Sequence, residues 1–204
     1  AKSGAKINRI YVSPSNCRSA PGVIEAIEDA DVIIIGPGSL YTNVLPNLLV
    51  KNVAKAIKDS KAMKFYISNI MTEPGQTDNY DLSEHFRVIK EHVGTDIIDY
   101  CLADTGEVVP EYIRKYNKEG SDLVEIDSRK LNNYNIKIIQ RNMSCIKDGK
   151  VRHNPEIIAA LYPAGHEYNA PTLRMSLAVA YLLQGGTVSA DRELRPAVAY
   201  HFPQ

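Results

Sequence analysis

Apolar residues fall in five short runs rich in Ile, Val and Tyr: Ile7–Val12, Val32–Ile35, Lys64–Ser68, Ile97–Leu102 and Ile136–Ile139. Several are apolar at consecutive positions rather than alternating, the pattern of strands covered on both faces. Between them the spacing turns helical. Pro21–Asp29 carries Pro and acids near its start, where a helix dipole favours them. Leu45–Lys58 places Leu48, Leu49, Val53 and Ile57 on one stripe, which predicts a single helix. Ser83–Val93 predicts a helix capped by Ser83 and closed by Gly94. Asn154 before Pro155 marks the start of another, through Leu161. Strands alternating with helices predict an α/β fold of three layers, a mostly parallel sheet with helices on both faces in the Rossmann-like manner.

After Tyr162 this rhythm stops. Residues 1–162 read as one α/β domain and residues 163–204 as an appendage, with one helix expected over Thr172–Gln184. The run Ile7–Val12 opens a strand almost at once, so a preceding segment is expected to belong to the same fold.

Composition narrows the functional classes. Lys+Arg and Asp+Glu balance at 24 each, so no overall field favours nucleic acid or an anionic membrane. No stretch of eighteen apolar residues is present to span a membrane, and no signal-peptide core follows Ala1–Lys6. Cys17, Cys101 and Cys145 form neither a disulfide framework nor a zinc pattern, which suits a reducing cytosol and a cytoplasmic location. His85, His92 and His153 lack metal-ligand spacing, so no metal site is assigned to them. No nucleophile–base arrangement can be read from residue order, and catalytic residues are left unassigned.

Ligands of open α/β sheets sit outside the carboxyl ends of the strands. There, Val32–Ile35 runs directly into Gly36-Pro37-Gly38-Ser39-Leu40-Tyr41-Thr42. Two glycines allow a sharp turn and close backbone approach, while Ser39 and Thr42 add hydroxyls ahead of a helix start. Phosphate is the natural guest, although an ordinary strand-to-helix turn would also use a glycine. It is not a P-loop, because no Gly-Lys-Ser/Thr follows. The next strand feeds Asn69-Ile70-Met71-Thr72-Glu73-Pro74-Gly75-Gln76-Thr77, a loop dense in hydrogen-bonding groups. Asn69 and Thr72 there are candidates for sugar or base recognition, and a solvated self-capped loop fits the composition equally well. Ala103-Asp104-Thr105-Gly106 ends another strand, where a carboxylate could hold Mg²⁺ or ribose hydroxyls, or simply form an Asx-turn. Arg114-Lys115-Tyr116 and Lys150-Val151-Arg152-His153 each offer a cation beside a ring.

The stretch from Asp31 to Val50, with its Gly-Pro-Gly-Ser-Leu-Tyr-Thr, resembles the bacterial gluconeogenesis factor family, a CofD-like group related to 2-phospho-L-lactate transferase. Asn69–Thr77 resembles that family's second signature, usually close to Asn-x-Met-Thr-Gln-Pro-Gly-Glu-Thr, with Glu73 and Gln76 exchanging their charge. The resemblance covers roughly Ile7 to Leu161. It implies the three-layer fold and a nucleotide-sugar ligand of the UDP type. It also implies a cytosolic regulator of cell shape and of growth on gluconeogenic carbon, more a ligand sensor than an enzyme. Cell-envelope synthesis proteins and a second copy of the chain are the protein partners it leaves open. The alternative is a transferase moving a phospho-lactyl group from a nucleotide carrier to a deazaflavin acceptor. Tyr116 and Arg152 resemble ligand-contacting positions, so the ligand set becomes Gly36, Gly38, Ser39, Thr42, Asn69, Thr72, Tyr116 and Arg152. Family members begin with a Gly-rich strand–loop–helix half without counterpart here, expected to supply part of the site, and residues 163–204 match no family ending.

Overall fold

The computed structural model describes residues 6–160 and the two-residue strand Met175–Ser176. At its centre lie β1 (Val32–Ile35), β2 (Met63–Ile67), β3 (Tyr100–Asp104) and β4 (Lys137–Arg141), each parallel to the next. All four residues of β1 are buried. A run without polar positions is what a strand covered on both faces requires, and each such side chain contributes roughly 1.5–3 kcal/mol by leaving water.

Successive strands step in one direction across the sheet, so right-handed crossovers gather their helices on one face. These are α2 (Leu45–Leu48), α3 (Val53–Asp59) and α4 (Leu82–Val93), joined on that face by α1 (Val23–Glu28), which precedes β1. Against them pack Ile33, Ile35, Tyr66, Cys101 and Ala103. The alternate side chains Val32, Ile34, Phe65, Ile67 and Leu102 point to the other face and meet Met143 and Ile158. A smaller cluster of Ile70, Val108 and Val151 lies beside α5 (Pro110–Lys118). A short helix, α6 (Ser128–Leu131), precedes β4 and buries Leu131. β5 (Ser144–Lys147) and β6 (Lys150–His153) form an antiparallel hairpin leading into α7 (Pro155–Ala160), which contributes Ile158 to the second face. The three-layer α/β expectation therefore holds.

Four expectations about elements need correction. Ile7–Val12 is not a strand: Ile7 and Ile10 pack against the core, and the Ile10 N–H donates to His92 Nε2 on α4 rather than to a neighbouring strand. The helix expected over Leu45–Lys58 is two helices. Asn52 between them has φ 70°, and Lys51 N–H bonds the distant Cys17 carbonyl, a tertiary contact that overrides the continuous apolar stripe. The cap of α4 is Asp81, not Ser83. Asp81 accepts from the Glu84 N–H at 3.0 Å, while the Ser83 hydroxyl donates to the same carboxylate. Lastly, Met175–Ser176 is a strand, β7, paired parallel to β1, where a helix had been expected; the rest of the Thr172–Gln184 expectation lies outside the described residues.

The expected closure of α4 does occur at Gly94, with φ 75°, and its N–H donates to the Lys90 carbonyl. Asn154 caps α7 through its Oδ1, which accepts from the Glu156 N–H at 3.0 Å.

Candidate functional site at the carboxyl edge of the sheet

β1 ends in Gly36, whose φ of 88° places it in the region that favours glycine. A Cβ there would lie 3.0 Å from the Ile67 carbonyl oxygen of β2, so the second strand walls this position. Gly38 has no such backbone demand, and a Cβ on it would meet only the Asn43 side chain at 3.3 Å. One glycine is thus needed by the fold and the other is not. After Ser39 the chain enters a five-residue π-turn, Leu40–Val44, in which the Asn43 and Val44 N–H groups both donate to the Ser39 carbonyl. Leu40 and Tyr41 are buried by that turn, whereas Thr42 is exposed and its hydroxyl donates to Asn43 Oδ1.

The loop after β2 comes to meet this turn. Ser39 Oγ lies 2.5 Å from Glu73 Oε2 and 3.2 Å from Gln76 Oε1. A hydroxyl has one proton, so Ser39 donates it to the carboxylate or to the amide, and the two sequence signatures are clasped together. The exchanged charges of Glu73 and Gln76 become intelligible here: both positions face Ser39, so one carboxylate and one amide reach the same hydroxyl in either order. Within the loop, Glu73 N–H donates to Thr77 Oγ1 and Gly75 N–H to Asp78 Oδ2, which holds the turn rigidly. Thr72 is buried. Its hydroxyl accepts from the Asp122 N–H at 2.8 Å, and its backbone is bonded to the same residue, so its side chain fastens the loop to the 121–122 segment. Asn69 differs, since its buried Oδ1 has no hydrogen-bond partner among the described residues.

The hairpin closes the same edge. His153, at the end of β6, lies with Nε2 3.0 Å from the Ser68 carbonyl. A carbonyl only accepts, so Nε2 carries the proton, and burial pushes the His153 pKa below its ordinary value. Arg152 is its exposed neighbour on β6. Tyr116 on α5 is half-buried against Ile70, Val108 and Val151, and its hydroxyl accepts from the Val151 N–H at 3.1 Å. That bond places it one residue from Arg152 along the chain, although its ring and hydroxyl are both engaged in holding α5 to the hairpin.

Residue order had offered no nucleophile–base arrangement, yet the fold makes one contact of that type, the Ser39 hydroxyl on the Glu73 carboxylate. It lacks a third orienting group among its bonded partners. The hairpin was also missed; its turn, Asp148-Gly149 with φ 52° and 67°, carries the dipeptide signal that could have revealed it.

A cleft of about 360 Å³ opens at the opposite, amino end of β2–β4 and is lined by Lys58, Lys64, Lys90, Asp96, Asp99 and Tyr134. Lys90 pairs with Asp96, and Lys64 donates to the Ser60 carbonyl with Asp99 at 3.8 Å, so most of its charge is already met. Among the described residues no group of three His, Cys, Asp or Glu side chains is arranged to hold a metal, and no helix is long and apolar enough to cross a membrane.

The profile of the CofD family, described as 2-phospho-L-lactate transferase CofD, matches residues 1–144. The chain belongs to the CofD-like family. Its relatives include the gluconeogenesis factor of Halalkalibacterium halodurans, 43% identical over 154 residues, covering 75% of this chain and 48% of the relative. The gluconeogenesis factor of Bacillus subtilis is 35% identical over 158 residues, covering 78% and 50% respectively. A crystal structure of a Bacillus halodurans protein of the UPF0052 family superposes with a TM-score of 0.75 at 40% identity, covering 78% of this chain and 52% of that one. The chain therefore spans about half the length of these relatives.

Proposed function

We propose that this chain forms one part of a nucleotide-sugar-binding regulator of the gluconeogenesis-factor type, which takes a UDP-sugar at the carboxyl edge of the sheet. The observation that carries the reading is the clasp of Ser39 on Glu73 and Gln76, which joins the 36–42 turn to the 69–77 loop at the strand ends. Ligands of parallel α/β sheets bind in that place. The diphosphate lies along the 36–42 turn as on a phosphate-binding loop, with backbone N–H groups facing it. Ser39's own proton is used within its clasp on Glu73 and Gln76, so Arg152 is the charged side chain offered to the diphosphate, in a geometry that lysine does not copy. The base and sugar lie against Asn69 and the hairpin. Regulation of cell shape and of growth on gluconeogenic carbon, a cytoplasmic location, and contact with cell-envelope synthesis proteins belong to the same proposal.

A thermal-shift panel of UDP, UDP-sugars, GDP and free sugars tests it, since a ligand that binds only the folded state raises its melting temperature. UDP-sugars should stabilise most, and Arg152→Ala should diminish the shift. A family profile described as a transferase favours a second reading, a phospho-lactyl transfer to a deazaflavin acceptor. Incubation with UDP-sugar followed by product analysis separates a sensor, which returns intact ligand, from an enzyme. Binding of a deazaflavin, read by its absorbance, would favour the transferase.

A further inference from the structure

We propose that the cleft at the amino end of β2–β4 is a second ligand site, which takes a small hydroxylated phosphate monoester. Its lysines come from three elements, Lys58 from α3, Lys64 from β2 and Lys90 from α4. Three lysines against Asp96 and Asp99 leave the cleft one net positive charge. That surplus lies on Lys58 and Lys64, because Lys90 and Asp96 form a close pair at 2.9 Å. The Lys64 side chain is only 13% exposed, and its ammonium donates to the Ser60 carbonyl at 2.8 Å. Asp99 stands 3.8 Å away, near enough for attraction and too far for a hydrogen bond. The same Asp99 oxygen already accepts the Lys64 backbone N–H at 3.0 Å. An ammonium has three N–H donors, so two on Lys64 have no described acceptor, a costly state for a cation mostly withdrawn from water. Lys58 is exposed, and the carboxylate next to it in sequence, Asp59, is paired with Lys55 instead.

An anion in the cleft meets both cations. Ammonium groups act as separate point donors, which suits the three terminal oxygens of a phosphate better than planar bidentate recognition. The segment before β4 adds groups of another kind. Asn133, Tyr134 and Asn135 line the cleft with side-chain polar groups that bond no described residue. Amides and a phenol both donate and accept, as the hydroxyls of a polyol ester require. The Tyr134 ring, held edge-on to Phe86 at 5.4 Å, and the half-buried Ile136 give the ester's carbon chain an apolar wall. At about 360 Å³ the cleft stands at the small end of ligand pockets, which suits a compact ester rather than a nucleotide sugar. The site therefore rests on no part of the UDP-sugar reading and lies at the other end of the sheet from it.

The test titrates glycerol 3-phosphate into the ¹⁵N-labelled full chain, with inorganic phosphate and glycerol as separate arms at matched ionic strength. The expected result is one saturable curve of millimolar affinity or better, with amide shifts centred on residues 58–64, 96–99 and 133–136. Glycerol 3-phosphate should bind more tightly than phosphate, and glycerol alone should bind least. Lys64→Met keeps the stem without the charge and should weaken binding by about tenfold or more, the cost of a lost charge-assisted hydrogen bond. Lys58→Gln alters an exposed residue outside any described ion pair and should weaken it about two- to fivefold, which keeps the test decisive if the Lys64 variant fails to fold. Shifts that do not saturate, shifts scattered over lysines elsewhere, an ester that binds no tighter than phosphate, or unchanged affinity in the folded variants would each overturn the site.

Discussion

Gly36→Ala should destabilise the fold by about 2–5 kcal/mol, whereas Gly38→Ala should cost less than about 1 kcal/mol. The difference follows from the two backbones. Gly36 sits at φ 88°, where an alanine costs about 1–2 kcal/mol. Its new methyl would also press on the Ile67 carbonyl at 3.0 Å. That oxygen belongs to β2 and cannot retreat without disturbing the β1–β2 ladder, so overpacking adds about 1–3 kcal/mol. At Gly38 the backbone makes no left-handed demand, and the methyl would meet Asn43 Cβ at 3.3 Å, a contact that a shift of a few tenths of an ångström at that exposed residue relieves. Urea unfolding of the two variants and the parent, with the slope checked for constancy, measures both costs. A Gly36→Ala variant within about 0.5 kcal/mol of the parent would refute the reasoning, and so would equal costs at both positions. If the difference appears, Gly38 is the glycine left for close approach of a ligand, and Gly38→Val becomes the variant that tests binding without confounding the fold.

Other outcomes follow from the same contacts. Asp81→Ala removes the cap of α4 and should cost about 1–2 kcal/mol of unfolding free energy; its bond to the largely exposed Lys130 adds little. Burial holds the His85 pKa below its ordinary value, so the folded chain refuses a proton that the unfolded chain accepts. Stability should therefore fall as pH drops below about 6.5, by at most about 1.4 kcal/mol per unit for this group. His85→Gln should remove that share of the slope, as a pH series of urea melts would show. Tyr116→Phe should leave the Val151 N–H without its acceptor, costing about 0.5–1.5 kcal/mol and speeding exchange of that amide. Arg152→Lys should weaken UDP-sugar binding nearly as much as Arg152→Ala in calorimetric titration.

The central strands were legible in the sequence because burial on both faces leaves no polar position in them, as β1 shows. Gly94 and the Asn154-Pro155 pair were legible because local chemistry alone decides a helix end. Asn52 was not, since its left-handed turn is set by a bond between Lys51 and Cys17, far apart along the chain. Asp81 and Ser83 are both good caps, and sequence cannot say which of two near neighbours accepts the N–H. For the site, the turn at 36–42 and the loop at 69–77 were each visible as loops rich in glycine and hydrogen-bonding groups. Their meeting was invisible, because Ser39 and Glu73 lie 34 residues apart and only the parallel pairing of β1 with β2 sets them side by side. Thr72 looked like a recognition residue by the same composition, yet its hydroxyl is spent on the Asp122 amide. The hairpin that carries Arg152 needed only the Asp148-Gly149 turn to be recognised, and its docking to α5 through Tyr116 could not have been.

The central claim is that the two clasped loops receive a nucleotide sugar, and amide chemical shifts test it residue by residue. UDP-N-acetylglucosamine titrated into the ¹⁵N-labelled chain should move the amides of residues 36–42, 69–77 and 151–153 together along one saturable curve. Saturable shifts confined to the lysine-lined cleft at the amino end of the sheet, or no shifts at millimolar ligand in the chain joined to the remaining half of its relatives, would contradict it.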